Sequence, residues 1–436
     1  MPYWYIFWFC VFLGYSILSV ALFSHLLMTS SAPPFSTLQA SFDNLSAELK
    51  LLIKCWKDEP VGAEELNAVN WPLFLQLVKS HRMIGGLYPV VDQNEWLPIE
   101  VKEELKAIYN QNKLRMLTFT AELLHISKLF QKNDIASIAL KGPMLSYVYH
   151  RDFMQRVCHD IDLLLEPTQI EKAYSILYQE GYRMMEESYT TPKQKEVYLA
   201  NFHHYCLYHE TKNIIVELHW RLLASQSIPT FPNAELWKNA WVAKVSGVLI
   251  QLLSKHDNFL YLCVHGGQHQ WKRLFWLNDI VVVLQNEEAA FIFEAYHLAK
   301  QRGIGNYVLQ ALQLASALYK IILPSSMIDE IASKDSVSHL SKIALVHMNA
   351  LLSLDEQEPF SLKTLRGKVS RFLMHYTSSY YYGDLKNVVH EAKAYFINPA
   401  YWSVFAFPDK VFLLNYVAAP FLWGYHFFRK FKKSNL

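Results

Sequence analysis

Three acidic residues sit inside strand-like apolar runs. Asp160 and Asp162 are one residue apart in "CHDIDLLLE", and Glu217 interrupts "NIIVELHWRL". Side chains alternate along a strand, so Asp160 and Asp162 point to one face. Two carboxylates that close are costly unless a cation sits between them. A hard divalent ion such as Mg²⁺ takes oxygen ligands and is held by one or two carboxylates plus substrate phosphates. Three acids on neighbouring strands could hold two metals for in-line phosphoryl or nucleotidyl transfer. The competing reading is a solvated strand face, but Ile161, Leu163, Leu164 and Leu165 imply a buried strand. His219 shares the strand face of Glu217 and is a further candidate.

Upstream, "IASIALKGPMLSYVYH" reads as a short strand, a Lys141-Gly142-Pro143 turn and a helix with Pro143 in its first turn. Gly142 would let the backbone approach a triphosphate at a helix N-terminus. Lys141 and Arg156 would place positive charge beside the phosphates.

The elements around these residues change character along the chain. Residues 36–133 read as a helical region: "SFDNLSAELKLLIKCW", then "WPLFLQLVKSHRMIGGLYPVV" as one helix ended by Gly85-Gly86, then a long charged amphipathic helix or pair. Residues 134–228 read as the core, with strands at "IASIAL", "DIDLLLE", "HHYCLYHE" and "NIIVELHWRL", the last two around the turn Thr211–Asn213. A helix, "TQIEKAYSILYQEGY", follows the acidic strand, with Thr168 as its expected cap. Residues 229–395 return to helical spacing. The expected fold class is α+β: a small mixed sheet flanked by N-terminal and C-terminal helical regions.

Composition narrows the classes. The 436 residues are 52% hydrophobic and 18% charged, with a net charge of +2, so a large core is available and no bulk nucleic-acid partner is indicated. Five scattered cysteines without a CxxC pair exclude a disulfide framework and fit a reducing compartment. Residues 1–35 form an apolar N-terminal segment without Asp, Glu, Lys or Arg. Its stretch "YWYIFWFCVFLGYSILSVALF" is long enough to span a bilayer. It reads either as an anchor or as an over-extended start, with Met28 opening the natural chain. Residues 396–436 form an apolar C-terminal segment with a basic tail, read as a buried or interfacial helix because Pro420 breaks it. The expected location is the cytoplasm, with these ends offering contact with the cytoplasmic membrane face.

The motifs together resemble the uncharacterised bacterial nucleotidyltransferase family of the polymerase-β-type superfamily, often associated with polysaccharide and peptide-product gene clusters. "LKGPML", Arg156, "DIDLLL" and "EGY" carry the likeness, and "HRMIGGLYP", "ELHWRL" and "HGGQHQWKRLFWLNDI" extend it over residues 45–290. The resemblance implies transfer of a nucleoside monophosphate from an NTP to an unknown acceptor, with pyrophosphate released. It implies Asp160, Asp162 and Glu217 as Mg²⁺ ligands, and Lys141, Gly142 and Arg156 beside the nucleotide. One departure is visible: the superfamily commonly has Gly-Ser at the turn, and here Gly142 precedes Pro143. The rival reading is a non-catalytic nucleotide-binding or membrane-associated accessory protein of a cell-envelope polysaccharide or peptide natural-product pathway. His265 and His269 could share a zinc or pack over the site. Asp279 reads as a cap or salt-bridge partner.

Overall fold

The computed structural model describes residues 42–185, 189, 191–223, 231–350, 381, 402, 407–415 and 418. The N-terminal anchor or over-extended start lies outside them, as does most of the apolar C-terminal segment. Among the described residues no helix is long and apolar enough to cross a membrane.

Among the described residues five helices precede the first strand: α1 (Ala47–Trp56), α2 (Ala63–Asn67), α3 (Trp71–Ser80), α4 (Ile84–Val91) and α5 (Ile99–Lys132). Ser46 and Asn70 cap α1 and α3 by accepting from Leu49 and Leu73 backbone N–H groups. The charged amphipathic stretch is one continuous helix of 34 residues, about 50 Å long. The stretch expected to be one helix ending at Gly85-Gly86 is instead two, and the glycines lie inside the second. Their role is close approach. A Cβ on Gly85 would meet the carbonyl oxygens of Met154 and Gln155 at 2.4 Å, and one on Gly86 would meet the Trp56 ring at 2.0 Å.

Among the described residues seven strands then form one mixed sheet in the order β3-β4-β5-β2-β1-β7-β6. They are β1 (Ser137–Leu140), β2 (Asp160–Leu165), β3 (Arg183–Met184), β4 (His204–His209), β5 (Ile214–His219), β6 (Trp241–Val245) and β7 (Val248–Leu252). The two central neighbours β2 and β5 are parallel, β1 is antiparallel to β2, and β4 is antiparallel to β5. Helix α6 (Gly142–His150) follows β1, α7 (Ile170–Gln179) follows β2, and α8 (Pro192–Asn201) precedes β4. Thr168 does not cap α7; it lies in a 3₁₀ turn, Pro167–Gln169, that leads into it.

The hairpin β6–β7 falls within the span expected to be helical. Its five-residue arms, "WVAKV" and "VLIQL", turn at Ser246-Gly247, and β7 pairs with β1 to extend the sheet. Such short arms carry a two-residue period that a helical window averages away. After α9 (Asn233–Asn239) and the hairpin come α10 (Lys255–Gln268), α11 (Leu274–Asn286), α12 (Ala289–Gln301), α13 (Gly305–Tyr319), α14 (Ser325–Ala332) and α15 (Asp335–Ala350).

Two apolar layers sandwich the sheet. Ile161, Leu163, Leu165, Val216 and Leu218 face α5 and α7 through Phe119, Ile126, Phe130 and Leu177. Ile138, Leu140 and Leu164, on the opposite face, join the core built by α1, α3, α4 and the helices after the sheet. The acids belong to this second face, so the N-terminal and C-terminal helices both close over it. The Gly85 contact implies that Gly85→Ala should cost roughly 1–3 kcal/mol, because backbone carbonyls cannot swing aside. Thermal unfolding should show a lower Tm; an unchanged Tm would refute the packing described for α4.

Candidate functional site

Parallel pairing of β2 and β5 sets Asp162 opposite Glu217 and Asp160 opposite Ile215. Asp160, Asp162, Glu217 and His219 consequently share one face. His219 Nε2 lies 3.3 Å from Asp162 Oδ1 and 3.1 Å from Glu217 Oε2. Asp162 and His219 are almost completely buried, at 3% and 2% exposure, which removes the solvated-face reading for Asp162.

Lys141 answers this negative charge. It follows the last residue of β1, whose Leu140 pairs with Asp162, and its Nζ stands 3.4 Å from Asp162 Oδ2 and 5.2 Å from the centre of the Tyr261 ring. Lys141 has a φ of 44°, a region that non-glycine residues rarely occupy. Gly142 continues that turn at φ +55°, begins α6, and would meet nothing within 4 Å if it carried a Cβ. The turn thus presents a helix N-terminus to open space beside the acids.

The ionisation pattern follows from this crowding. Burial, reinforced by the neighbouring Asp162 charge, pushes Asp160 up to about 6. Burial also opposes the Asp162 charge, but Lys141 and His219 outweigh it and hold that carboxyl well below its ordinary range. Burial disfavours the Lys141 ammonium too, yet Asp162 chiefly holds it above its usual value. Against the same cost of burial, hydrogen bonds to Asp162 and Glu217 push His219 up to about 9.

His203 and His204, to which the sequence reading gives no role, complete the edge of this cluster. Antiparallel pairing sets His204 opposite His219, and His203 Nε2 lies 3.1 Å from His204 Nδ1. One ligand atom from each of Asp162, Glu217 and His219 lie within 4.8 Å of one another, and the same holds for His203, His204 and His219. The donor set fits a divalent cation. Its imidazole groups also suit Mn²⁺ or Zn²⁺ as well as the Mg²⁺ that carboxylates alone favour. The doubled histidine in "NFHHYC" was the available signal, and it needs the β4–β5 register to be read.

Arg156, close enough to act on Asp160, also carries an ion pair. Its Nε donates to both carboxylate oxygens of Asp279 on α11, at 2.9 and 3.0 Å, and one terminal nitrogen donates to Cys158 Sγ at 3.5 Å. Both partners are 8% exposed, so the pair pins α11 to the loop entering β2. Asp279 is therefore the salt-bridge partner that its place in an apolar helix indicated. His265 and His269 pack their rings 4.6 Å apart beside Trp276, as the packing reading had it.

Two outcomes test this geometry. Asp279→Ala leaves a buried guanidinium uncompensated and should lose about 3–5 kcal/mol of stability in chemical denaturation; a loss under 1 kcal/mol would refute the pinning role. His219 is raised from 6.5 to about 9, so in chelator-treated protein its stabilisation is complete below pH 6.5 and lost as pH rises through 9. The Tm gap between wild type and His219→Gln should therefore shrink from pH 6 to pH 10, whereas a constant gap would contradict the assigned hydrogen bonds.

Comparison with known proteins bears on this geometry. A family model described as "Uncharacterised nucleotidyltransferase" matches residues 67–320, more than half of the chain. No curated protein matches. Among solved structures, the crystal structure of an antigenic nucleotidyltransferase-like protein from Paracoccidioides brasiliensis aligns at 16% identity over 48% of this chain and 95% of its own, with a TM-score of 0.28.

Proposed function

The chain belongs to the uncharacterised nucleotidyltransferase family, and from that premise we propose a metal-dependent transfer of a nucleoside monophosphate from an NTP to an acceptor hydroxyl or phosphate. The observation that carries this reading is the in-register placement of Asp162 beside Glu217, with Asp160 two residues away on the same face. Asp160, Asp162 and Glu217 would hold Mg²⁺, with His219 as a further donor. When bound, the metal supplies charge neutralisation at the phosphates and activation of the attacking oxygen.

This chain's residues then bind and orient. Lys141 and the open backbone of Gly142 receive phosphate oxygens at the N-terminus of α6. Arg156 contributes its charge at longer range, since its Nε edge is committed to Asp279. With a hydroxyl acceptor, its oxygen bonds to the α-phosphorus and the α–β phosphoanhydride bond breaks. Pyrophosphate leaves with that electron pair and the hydroxyl proton passes to solvent. Pro143 replaces the serine common at this turn, so Lys141 takes over the side-chain contact to phosphate. We place the reaction in the cytoplasm, where NTP is available, and leave the acceptor to experiment.

Pyrophosphate release from each NTP, with and without Mg²⁺, tests the reading. Chelation should abolish release, and Asp160→Asn/Asp162→Asn should reduce it by at least about a hundredfold while the protein stays folded. Full activity in that double variant would exclude the acids as the metal site. If only nucleotide binding were measurable, and the double variant merely weakened it, the accessory-protein reading would replace this one.

A further inference from the structure

Outside the acid cluster, the helices on either side of the sheet bring four cations to the end of β2 where Asp160 stands. Arg82 lies in the turn between α3 and α4, Arg115 on α5, and Lys272 and Arg273 in the turn between α10 and α11. The two turns are joined directly: the Leu274 backbone N–H donates to His81 Nδ1 at 3.1 Å, which sets Arg82 next to Arg273. Arg115 reaches the same place from the third side, donating to Nδ1 of His159 at 3.0 Å, one residue before Asp160.

The way these arginines are held is unusual for this molecule. The more deeply buried side chains of Arg156 and Arg302 are neutralised by carboxylates, Arg156 by Asp279 and Arg302 by Asp257 and Glu235. Arg82, Arg115 and Arg273 lie over the rings of Phe275, Phe119 and Trp276, at 5.2, 5.3 and 5.7 Å, as Arg156 and Arg302 lie over Phe275 and Phe231, but without the carboxylate that those two have. Among the described residues none of these three, nor Lys272, forms an ion pair, and Arg273 Nε is buried without a hydrogen-bond acceptor. An aromatic face fixes a guanidinium while leaving its N–H fork free. Several like charges, half-buried and countered at longer range by the single carboxylate of Asp160, are costly to assemble. An anion carrying several charges removes that cost.

We propose that Arg82, Arg115, Lys272 and Arg273 form a seat for the polyphosphate chain of the nucleotide, reaching it from the helical regions while Lys141 and Gly142 reach it from the sheet. The inference rests on the nucleotidyl-transfer reading and deepens it. The mutual repulsion is visible in the charges themselves: burial, then Arg273, brings Arg82 down to about 10, and burial, then Arg273 and Arg82, lowers Lys272. His159 takes up one terminal nitrogen of Arg115 and orients that side chain. The seat also gives a use to "HRMIGGLYP" and "HQWKRLFW", two motifs that the acid cluster leaves unexplained. Arg82 falls in the first, and Lys272 and Arg273 fall in the second.

The test is calorimetric titration of the full chain with inorganic tripolyphosphate in the presence of chelator, so that metal contributes nothing. Wild type and the exposed-site control Lys128→Gln should bind alike. Arg82→Gln/Arg273→Gln should bind about a hundredfold more weakly, because two charge-assisted contacts are lost. Its melting curve reports whether it is folded. Arg115→Gln, expected to be about tenfold weaker, carries the test if the double variant does not fold. No tripolyphosphate binding by wild type, or undiminished binding by the variants, would overturn the seat. Failure here is separable from failure of the transfer reading. Binding without pyrophosphate release from any NTP leaves the seat standing and removes the reaction; release undiminished in the double variant keeps the reaction and removes the seat.

Discussion

Burying negative charge on one face of β2 and β5 is the constraint around which the rest of the molecule is organised. Asp162 and Glu217 are forced side by side by parallel pairing, and the strands that carry them are apolar on their other face. A one-residue slip would turn Asp160 and Asp162 into the layer formed with α5 and α7, so the apolar residues between them fix the register that brings the acids together. Lys141 sits in a left-handed conformation at the end of β1, and His219 bridges the two carboxylates. Each is a local cost accepted so that the charge is answered.

The opposite charge is organised differently. The acids come from the sheet, whereas the unpaired cations come from turns and helices before and after it in sequence. The α3–α4 and α10–α11 turns meet through the His81–Leu274 hydrogen bond, and the Arg156–Asp279 pair locks α11 to the loop entering β2. The glycines of α4 serve the same end by letting that helix touch the backbone at Met154 and Gln155, just before Arg156.

Much of this could be read from residue types and spacing. The α+β class, the four strands from residue 135 to 222, the two-residue spacing of the acids and the turn at Lys141-Gly142 follow from local period and punctuation. The β6–β7 hairpin escaped because its arms are five residues long and lie among helices. Gly85 and Gly86 read as a stop signal because sequence cannot distinguish a glycine that ends a helix from one that admits a neighbour. The Arg156–Asp279 pair could not be read because its members are 123 residues apart. His203, His204 and Arg273 acquire meaning only through strand register and helix packing, which no window of sequence contains.

The most direct measurement of the account is a crystal structure of the full chain with Mn²⁺ and a non-hydrolysable NTP, read through the anomalous signal of the metal. A manganese peak is expected between the carboxylates of Asp160, Asp162 and Glu217, with the phosphates between it and Lys141. A bound nucleotide whose phosphates lie away from these acids, or a manganese ion at another site, would contradict it.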